Sequence, residues 1–205
     1  GQVPQANIDE GVRRVLRVKF ALGLFDHPYA DESKESQAML QPESIALART
    51  AAERSFVLLK NAAAGGSPLL PLSDKTRNIA LIGPLADDSP NMLGSWAGLG
   101  RGEDVISFHA ALAKHVGEDH LFHVKGSGIT DGTDADIAAG VAAAGKADLV
   151  VLALGENAGE MTGEAASRAH LKLPGRQQEL LEKVVAAGKP VVLIIFSGRP
   201  LTLPW

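Results

Sequence analysis

Three glutamates on a glycine-rich stretch are the residues best placed, by type and spacing, to do chemistry. They stand in Gly155-Glu156, Gly159-Glu160 and Gly163-Glu164, with Ser167-Arg168 close behind. A carboxyl can give a proton, take one, or attack a carbon, and its surroundings decide which. Spaced four apart, the three would share a face on a helix. Each follows a glycine, however, and glycine costs about 1 kcal/mol in a helix interior, so a loop is predicted. A loop can aim a side chain into a cleft. An acid working near neutral pH needs partial burial to raise its pKa. On spacing alone a plainer reading wins: a solvated acidic loop, or carboxylates paired to Arg168 and Lys172.

The flanking elements give the loop its place. Leu149–Leu154 is pure strand material, and a helix is predicted over Pro174–Ala187, with Pro174 in its first turn and Gly188 at its stop. In open α/β sheets, ligands bind at the carboxyl ends of the strands. Further strands are predicted at Ile79–Ile82, Leu121–Val124 and Val191–Phe196, with helices at Val105–His115, capped by Asp104, and Asp134–Ala144. Strands that are apolar without alternation, separated by helices, indicate a mostly parallel sheet covered by helices on both faces, a three-layer α/β sandwich. Two connections exceed a structural turn, Gly83–Asp104, which contains Trp96, and Gly155–Leu173. Both follow strands, so both belong at the same sheet edge, and long loops in compact domains tend to be functional.

The first quarter of the chain reads differently. Asn7–Leu22 carries Ile8, Val12, Val15, Leu16 and Phe20 on one helical stripe, with Asn7 and Glu10 spaced as a capping box and Gly23 as the stop. One short helix cannot bury that stripe alone. Residues 26–41 are polar and read as a linker at a domain boundary. Glu43–Asn61 is predicted to be a buried helix, apolar on most sides and ending in Phe56-Val57-Leu58-Leu59.

Composition excludes several classes. A net charge of −4 gives no reason to expect nucleic acid or an anionic membrane as partner, and 45% hydrophobic with 21% charged residues is ordinary for a globular protein of 205 residues. With no cysteine there is no disulfide and no thiolate metal site. The longest apolar run, Pro190–Phe196, is far too short to span a bilayer. Of the six histidines, His120 and His123 are three apart but near no carboxylate cluster, so no metal and no cofactor is expected. Gly126-Ser-Gly128-Ile-Thr-Asp131-Gly132 misses the dinucleotide fingerprint, and its aspartate would face phosphate with the wrong charge, so it reads as a plain glycine turn. Ser197-Gly198 is no nucleophile elbow. The chain starts Gly1-Gln-Val-Pro and stops at Leu203-Pro-Trp205, as expected for a piece of a longer protein.

Several segments, in order, resemble glycoside hydrolase family 3, of the β-glucosidase/β-xylosidase type. Asp9–Phe25 (DEGVRRVLRVKFALGLF) looks like the last helix of that family's N-terminal (β/α)8-type barrel domain. Ala51–Asn61 (AAERSFVLLKN), Leu70-Pro71-Leu72 and Ile79–Ala86 (IALIGPLA) look like the opening of its α/β-sandwich domain. Asn91–Trp96 (NMLGSW) and Thr162–Pro174 (TGEAASRAHLKLP) match two of its loops. The resemblance implies residues 1–25 as the end of the barrel, 26–41 as linker and 42–205 as a C-terminally truncated sandwich domain. It implies an exo-acting, retaining β-glycosidase acting on β-linked glucosides or oligosaccharides. Glu164 would be the acid/base, with Glu160 and then Glu156 behind it. Trp96 could form an aromatic wall at the sugar, or be a core or interface tryptophan. Arg168, the other candidate at the sugar, is better suited to orient the loop or Glu164. The nucleophile aspartate would lie on the missing barrel, so these 205 residues alone are expected to be inactive. The resemblance implies a periplasmic or secreted location. The competing readings are a non-catalytic α/β binding or packing module and a nucleotide-binding domain.

Overall fold

Apolar runs that do not alternate can satisfy their backbone and bury both faces only inside a covered sheet. All four such runs become strands: β1 (Ile79–Ile82), β2 (Leu121–Val124), β3 (Leu149–Gly155) and β4 (Val191–Phe196). The computed structural model describes residues 2–63, 66–73, 75–162 and 166–203. It divides into two compact units, Gly1–Leu59 and Lys60–Trp205.

In the second unit the strands form one parallel sheet in the order β2-β1-β3-β4. Register places Ile79 opposite both Leu121 and Leu149, and Gly155 opposite Phe196. Successive side chains point to opposite faces, which splits the core in two. Ala80, Ile82, Val150, Leu152 and Leu154 meet Ile137 and Ala144 of α6 (Asp134–Lys146) and Leu180, Leu181 and Val184 of α7 (Gln177–Ala186). Ile79, Leu81, Val151 and Ala153 face the other way, with Leu85 and with Phe108, Leu112 and Val116 of α5 (Phe108–Val116), which follows the short α4 (Ser89–Met92) of the loop after β1. Each fully buried Leu or Ile in these layers contributes about 1.5–3 kcal/mol. The expected three-layer α/β sandwich is therefore formed. The glycine turn after β2 fits this scaffold: a Cβ on Gly126 would lie 2.9 Å from Leu180 side-chain carbons, so the missing side chain is what lets α7 close on the sheet.

Helix starts differ from the sequence expectation for identifiable reasons. α5 begins at Phe108 and is capped by Ser107, whose Oγ accepts from the Ala110 N–H at 3.1 Å and donates to Asp87 Oδ1 at 2.6 Å. Asp104, the expected cap, instead pairs with Arg101 at 2.9 Å. α6 carries a full capping box between Thr133 and Asp136. α7 starts at Gln177, three residues after Pro174, whose carbonyl accepts from the Gln177 N–H at 3.3 Å. Gly188, at φ +76°, follows its end as expected.

The first unit holds α1 (Gln5–Ala21), the short α2 (Glu35–Ala38) and α3 (Pro42–Ser55). α1 starts behind Pro4 with no side-chain cap, and Glu10 bonds Arg14 at 2.9 Å rather than closing a capping box with Asn7. Gly23, at φ +69°, ends it. α3 stops at Ser55, because Phe56 adopts extended backbone, and none of its residues is buried. The expected buried helix to Asn61 is thus replaced by a shorter exposed one followed by an exposed Phe56-Val57-Leu58-Leu59.

Candidate active site

The loops after β1, β3 and β4 all leave the same edge of the parallel sheet, and hydrogen bonds join them. The backbone N–H of Ala158, early in the glutamate loop, donates to Asn91 Oδ1 at 2.9 Å. Ser95 Oγ donates to the Ala158 carbonyl and lies 3.4 Å from Thr162 Oγ1. The two long loops singled out in the sequence therefore touch directly. Thr162 and Ser167 form an antiparallel bridge that pinches the glutamate loop. A Cβ on Gly198, after β4, would lie 3.0 Å from Thr162 Cβ, so the third loop also closes on it.

Beneath the loop lies a buried ionic cluster. The Glu156 side chain is fully buried, immediately after β3. Its Oε1 accepts from Arg168 Nη1 at 2.8 Å and Arg199 Nη2 at 2.6 Å. Its Oε2 accepts from Arg199 Nε at 3.1 Å and Ser197 Oγ at 3.0 Å. Burial pushes this carboxyl up. The hydrogen bonds from Arg199, Ser197 and Arg168, with the Arg199 charge, outweigh burial and hold it below the usual carboxylate range. The two guanidinium groups retain about a fifth of their side-chain exposure, at 22% for Arg168 and 20% for Arg199.

The same arginines hold the descending limb of the loop. Arg199 Nη1 donates to the Arg168 carbonyl, Arg199 Nη2 to the His170 carbonyl at 2.8 Å, and Arg168 Nη1 to the Lys172 carbonyl at 2.9 Å. The Thr202 N–H donates to the Leu171 carbonyl at 2.7 Å. On the ascending side, fully buried Gln177 brackets Gly155: its Oε1 accepts from the Gly155 N–H at 2.8 Å, and its Nε2 donates to the Gly155 carbonyl at 2.9 Å. Gly155 sits at φ +143°, and a Cβ there would lie 2.0 Å from the Phe196 carbonyl oxygen, so no other residue fits this end of β3 without displacing β4.

Of the residues the sequence proposed, Glu156 and Arg168 are brought together, with Arg168 bound to protein carboxylate and carbonyl. Glu160 is exposed, 3.5 Å from Asn157 Nδ2. Trp96 is 81% exposed on the Asn91–Trp96 loop. Glu164 lies outside the described residues. Sequence reasoning missed Arg199, Ser197, Gln177, Asn91 and Ser95. The available signal was a Ser-Gly-Arg-Pro run directly after an apolar strand, at the sheet edge that already held both long loops.

Residues 56–205 match the profile of the glycosyl hydrolase family 3 C-terminal domain. The chain belongs to glycoside hydrolase family 3. Over 99% of its length it is 35% identical to the periplasmic β-glucosidase of Salmonella typhimurium, of which it spans 29%. It is 32% identical, over its whole length, to the lysosomal β-glucosidase of Dictyostelium discoideum, of which it spans 26%. In three dimensions it is similar to the Listeria innocua β-glucosidase solved with isofagomine, with TM-score 0.84 and 39% identity over 98% of this chain and 27% of that one. A family 3 exo-β-xylosidase solved with a xylobiose aziridine probe is also similar, with TM-score 0.78 and 26% identity over 98% of this chain. This family 3 chain thus spans between a quarter and a third of the length of these relatives. Its sheet, with helices on both faces, is the fold those neighbours share over this region.

Proposed function

We propose that this chain is the acid/base-bearing part of a retaining, exo-acting β-glycosidase of the β-glucosidase type, and that Glu164 is the acid/base. The observation that carries the reading is the junction of the three loops. Ala158 and Thr162 of the glutamate loop are joined to Asn91 and Ser95 of the Asn91–Trp96 loop, and the carbonyls of Arg168, His170 and Lys172 are held by Arg199 and Arg168, at the sheet edge where α/β folds bind ligands. The names of the relatives, β-glucosidases and β-xylosidases, support the substrate class of β-linked glucosides or xylosides. Glu156 is unsuited to the role: two guanidinium groups hold it ionised, so it has no proton to give near neutral pH. Glu160, exposed on the same loop, is the fallback.

In the first step an aspartate of the longer protein's barrel attacks the anomeric carbon. Glu164 gives its proton to the glycosidic oxygen as the C–O bond breaks. In the second, the Glu164 carboxylate takes a proton from water, the water oxygen bonds the anomeric carbon, and the aspartate leaves. Retaining chemistry needs the two carboxyls about 5–5.5 Å apart. Residues 1–25 are the last helix of that barrel domain in this reading, and 26–41 the linker. Trp96, being exposed, is free to form an aromatic wall beyond the scissile bond. A periplasmic or secreted location is supported by the Salmonella relative's name, and among the described residues no helix is long and apolar enough to cross a membrane.

The test is Glu164→Ala in the full-length enzyme. The expected result is a large loss on substrates with poor leaving groups and partial rescue by azide, which needs no base. Unchanged kinetics would move the role to Glu160. The isolated 205 residues should not turn over an aryl β-glucoside. Turnover would mean that a nucleophile is present in them and would sink the division of labour. The second reading, a non-catalytic packing module, is favoured by the buried pairing of Glu156 and survives if neither Glu164→Ala nor Glu160→Ala changes kinetics.

A further inference from the structure

The Glu156 cluster holds a net positive charge of one within a few ångströms: one carboxylate against two guanidinium groups. A fully buried carboxylate is a costly way to gain stability, because desolvation offsets most of the attraction. What this cluster gains instead is geometry. Glu156 continues directly from β3, and its N–H donates to the Phe196 carbonyl at 2.9 Å, so the carboxylate is fixed to the rigid sheet. Arg199, three residues beyond β4, takes both carboxylate oxygens in a fork and uses its remaining donors on the Arg168 and His170 carbonyls. Arg168 returns to the same carboxylate and to the Lys172 carbonyl. Ser197 orients both partners: its Oγ donates to Glu156 and accepts from the Arg199 N–H at 3.2 Å. Two ends of one loop, twelve residues apart in sequence, are thereby tied to one carboxylate.

We propose that Arg199 and Glu156 form a clamp that positions the acid/base loop, with Arg168 as its inner tooth. The clamp rests on the reading of that loop as the carrier of the acid/base. Neither residue touches sugar in this scheme. They act by fixing where residues 157–167 start and finish, so the loop can present its carboxyl to the glycosidic oxygen. Arginine is required at position 199 because four acceptors are served at once, two of them on one planar carboxylate. A lysine ammonium could hold the charge but not the fork.

The experiment uses the full-length enzyme with Arg199→Ala, Arg199→Lys and, as reference, Glu164→Ala. Rates are normalised to active sites by titration with a 2-deoxy-2-fluoro glycoside, then compared from dinitrophenyl through phenyl to alkyl β-glycosides. General acid catalysis is worth about 10²–10⁴-fold. A displaced acid should therefore cost Arg199→Ala roughly 10–100-fold in kcat/KM on alkyl glycosides and less than about threefold on the dinitrophenyl glycoside. Azide should raise kcat of Arg199→Ala on the dinitrophenyl substrate, and Arg199→Lys should fall between. If Arg199→Ala does not fold, Arg199→Lys and Arg168→Lys carry the same comparison. An equal loss across leaving groups, or none, overturns the clamp while Glu164→Ala still shows its own leaving-group dependence. If Glu164→Ala shows none, the acid/base reading itself is wrong and the clamp falls with it.

Discussion

Arg199 reaches from the segment after β4 to the end of β3 and grips both oxygens of Glu156, Nη2 to Oε1 at 2.6 Å and Nε to Oε2 at 3.1 Å. Removing one side of a buried pair leaves the other charge desolvated, at a cost of about 3–5 kcal/mol. Glu156→Gln should therefore lower the stability of the 205-residue chain by about 3 kcal/mol in urea unfolding, towards the low end because both guanidinium groups keep some solvent. In a double-mutant cycle with Arg199→Ala the coupling should exceed about 1 kcal/mol. Additivity of the two substitutions would show that the fork is energetically idle.

The same pair sets a pH dependence. The folded-state pKa of Glu156 is held below its ordinary value of about 4.3, so the unfolded chain binds more protons between the two values. The stabilisation is fully present above about pH 4.3 and is lost as pH falls through the lower folded value. Asp134 and Glu179 are depressed by Arg176 and Lys183 in the same direction, but they are solvent-screened and common to wild type and variant. The stability gap between wild type and Glu156→Gln should hold from pH 7 to 5 and narrow below. A gap that stays constant down to pH 2.5 would show that Glu156 is not ionised in the fold.

Gly155→Ala tests the close approach of β3 and β4. A Cβ there would overlap the Phe196 carbonyl, and φ +143° is itself disfavoured for alanine. The expected cost is about 3 kcal/mol or more, by urea unfolding, with faster amide exchange at Glu156, whose N–H donates to that carbonyl.

How much of this was legible in the sequence follows from how far each cause lies along the chain. The four strands were readable because burial on both faces leaves an unbroken apolar run, as in Leu149–Leu154. That the two long loops share one sheet edge followed from parallel topology, whereas their contact through Asn91 and Ser95 did not. Cap positions were less secure: Asp104 and Ser107 are both good caps, and only the bond from Ser107 to Asp87, twenty residues earlier, decides between them. The fate of α3 was misread because a run such as Phe56–Leu59 looks like core from composition, yet it lies beyond the helix, which ends where Phe56 turns extended, and is exposed. The glutamates could not be ranked by spacing, since what distinguishes Glu156 is Arg199, forty-three residues on. The family resemblance ranked Glu164 first, on a motif rather than on geometry.

Ser107 joins a cap to an inter-element bond, so its removal should cost more than a cap alone. An N-cap serine to alanine change costs about 0.5–2 kcal/mol. Ser107→Ala also strips Asp87 of its 2.6 Å donor. The expected loss is about 2 kcal/mol, with Ser107→Asp failing to restore it because two carboxylates would then face each other. Full restoration by aspartate would mean that only the cap matters.

Gln177 tests whether the root of the loop is held by shape or by hydrogen bonds. Its amide serves the Gly155 N–H, the Gly155 carbonyl and the Ile129 carbonyl, all with the side chain fully buried. Gln177→Leu keeps the volume and leaves three backbone groups unpaired, at about 1–3 kcal/mol each before relaxation. A loss of at least about 3 kcal/mol is expected. Gln177→Glu keeps the volume and the acceptor for the Gly155 N–H, but turns the Nε2 donor into oxygen facing two carbonyls. Burial and those carbonyls would raise the new carboxyl's pKa in the fold, so the native state would bind the extra proton and the variant should gain stability as pH falls towards 5. Glu156 imposes the opposite slope, and only below about pH 5. Between pH 7 and pH 5 the Glu156→Gln gap should therefore stay flat while Gln177→Glu gains stability, and a Gln177→Glu variant insensitive to pH would show that the amide's donors are not engaged.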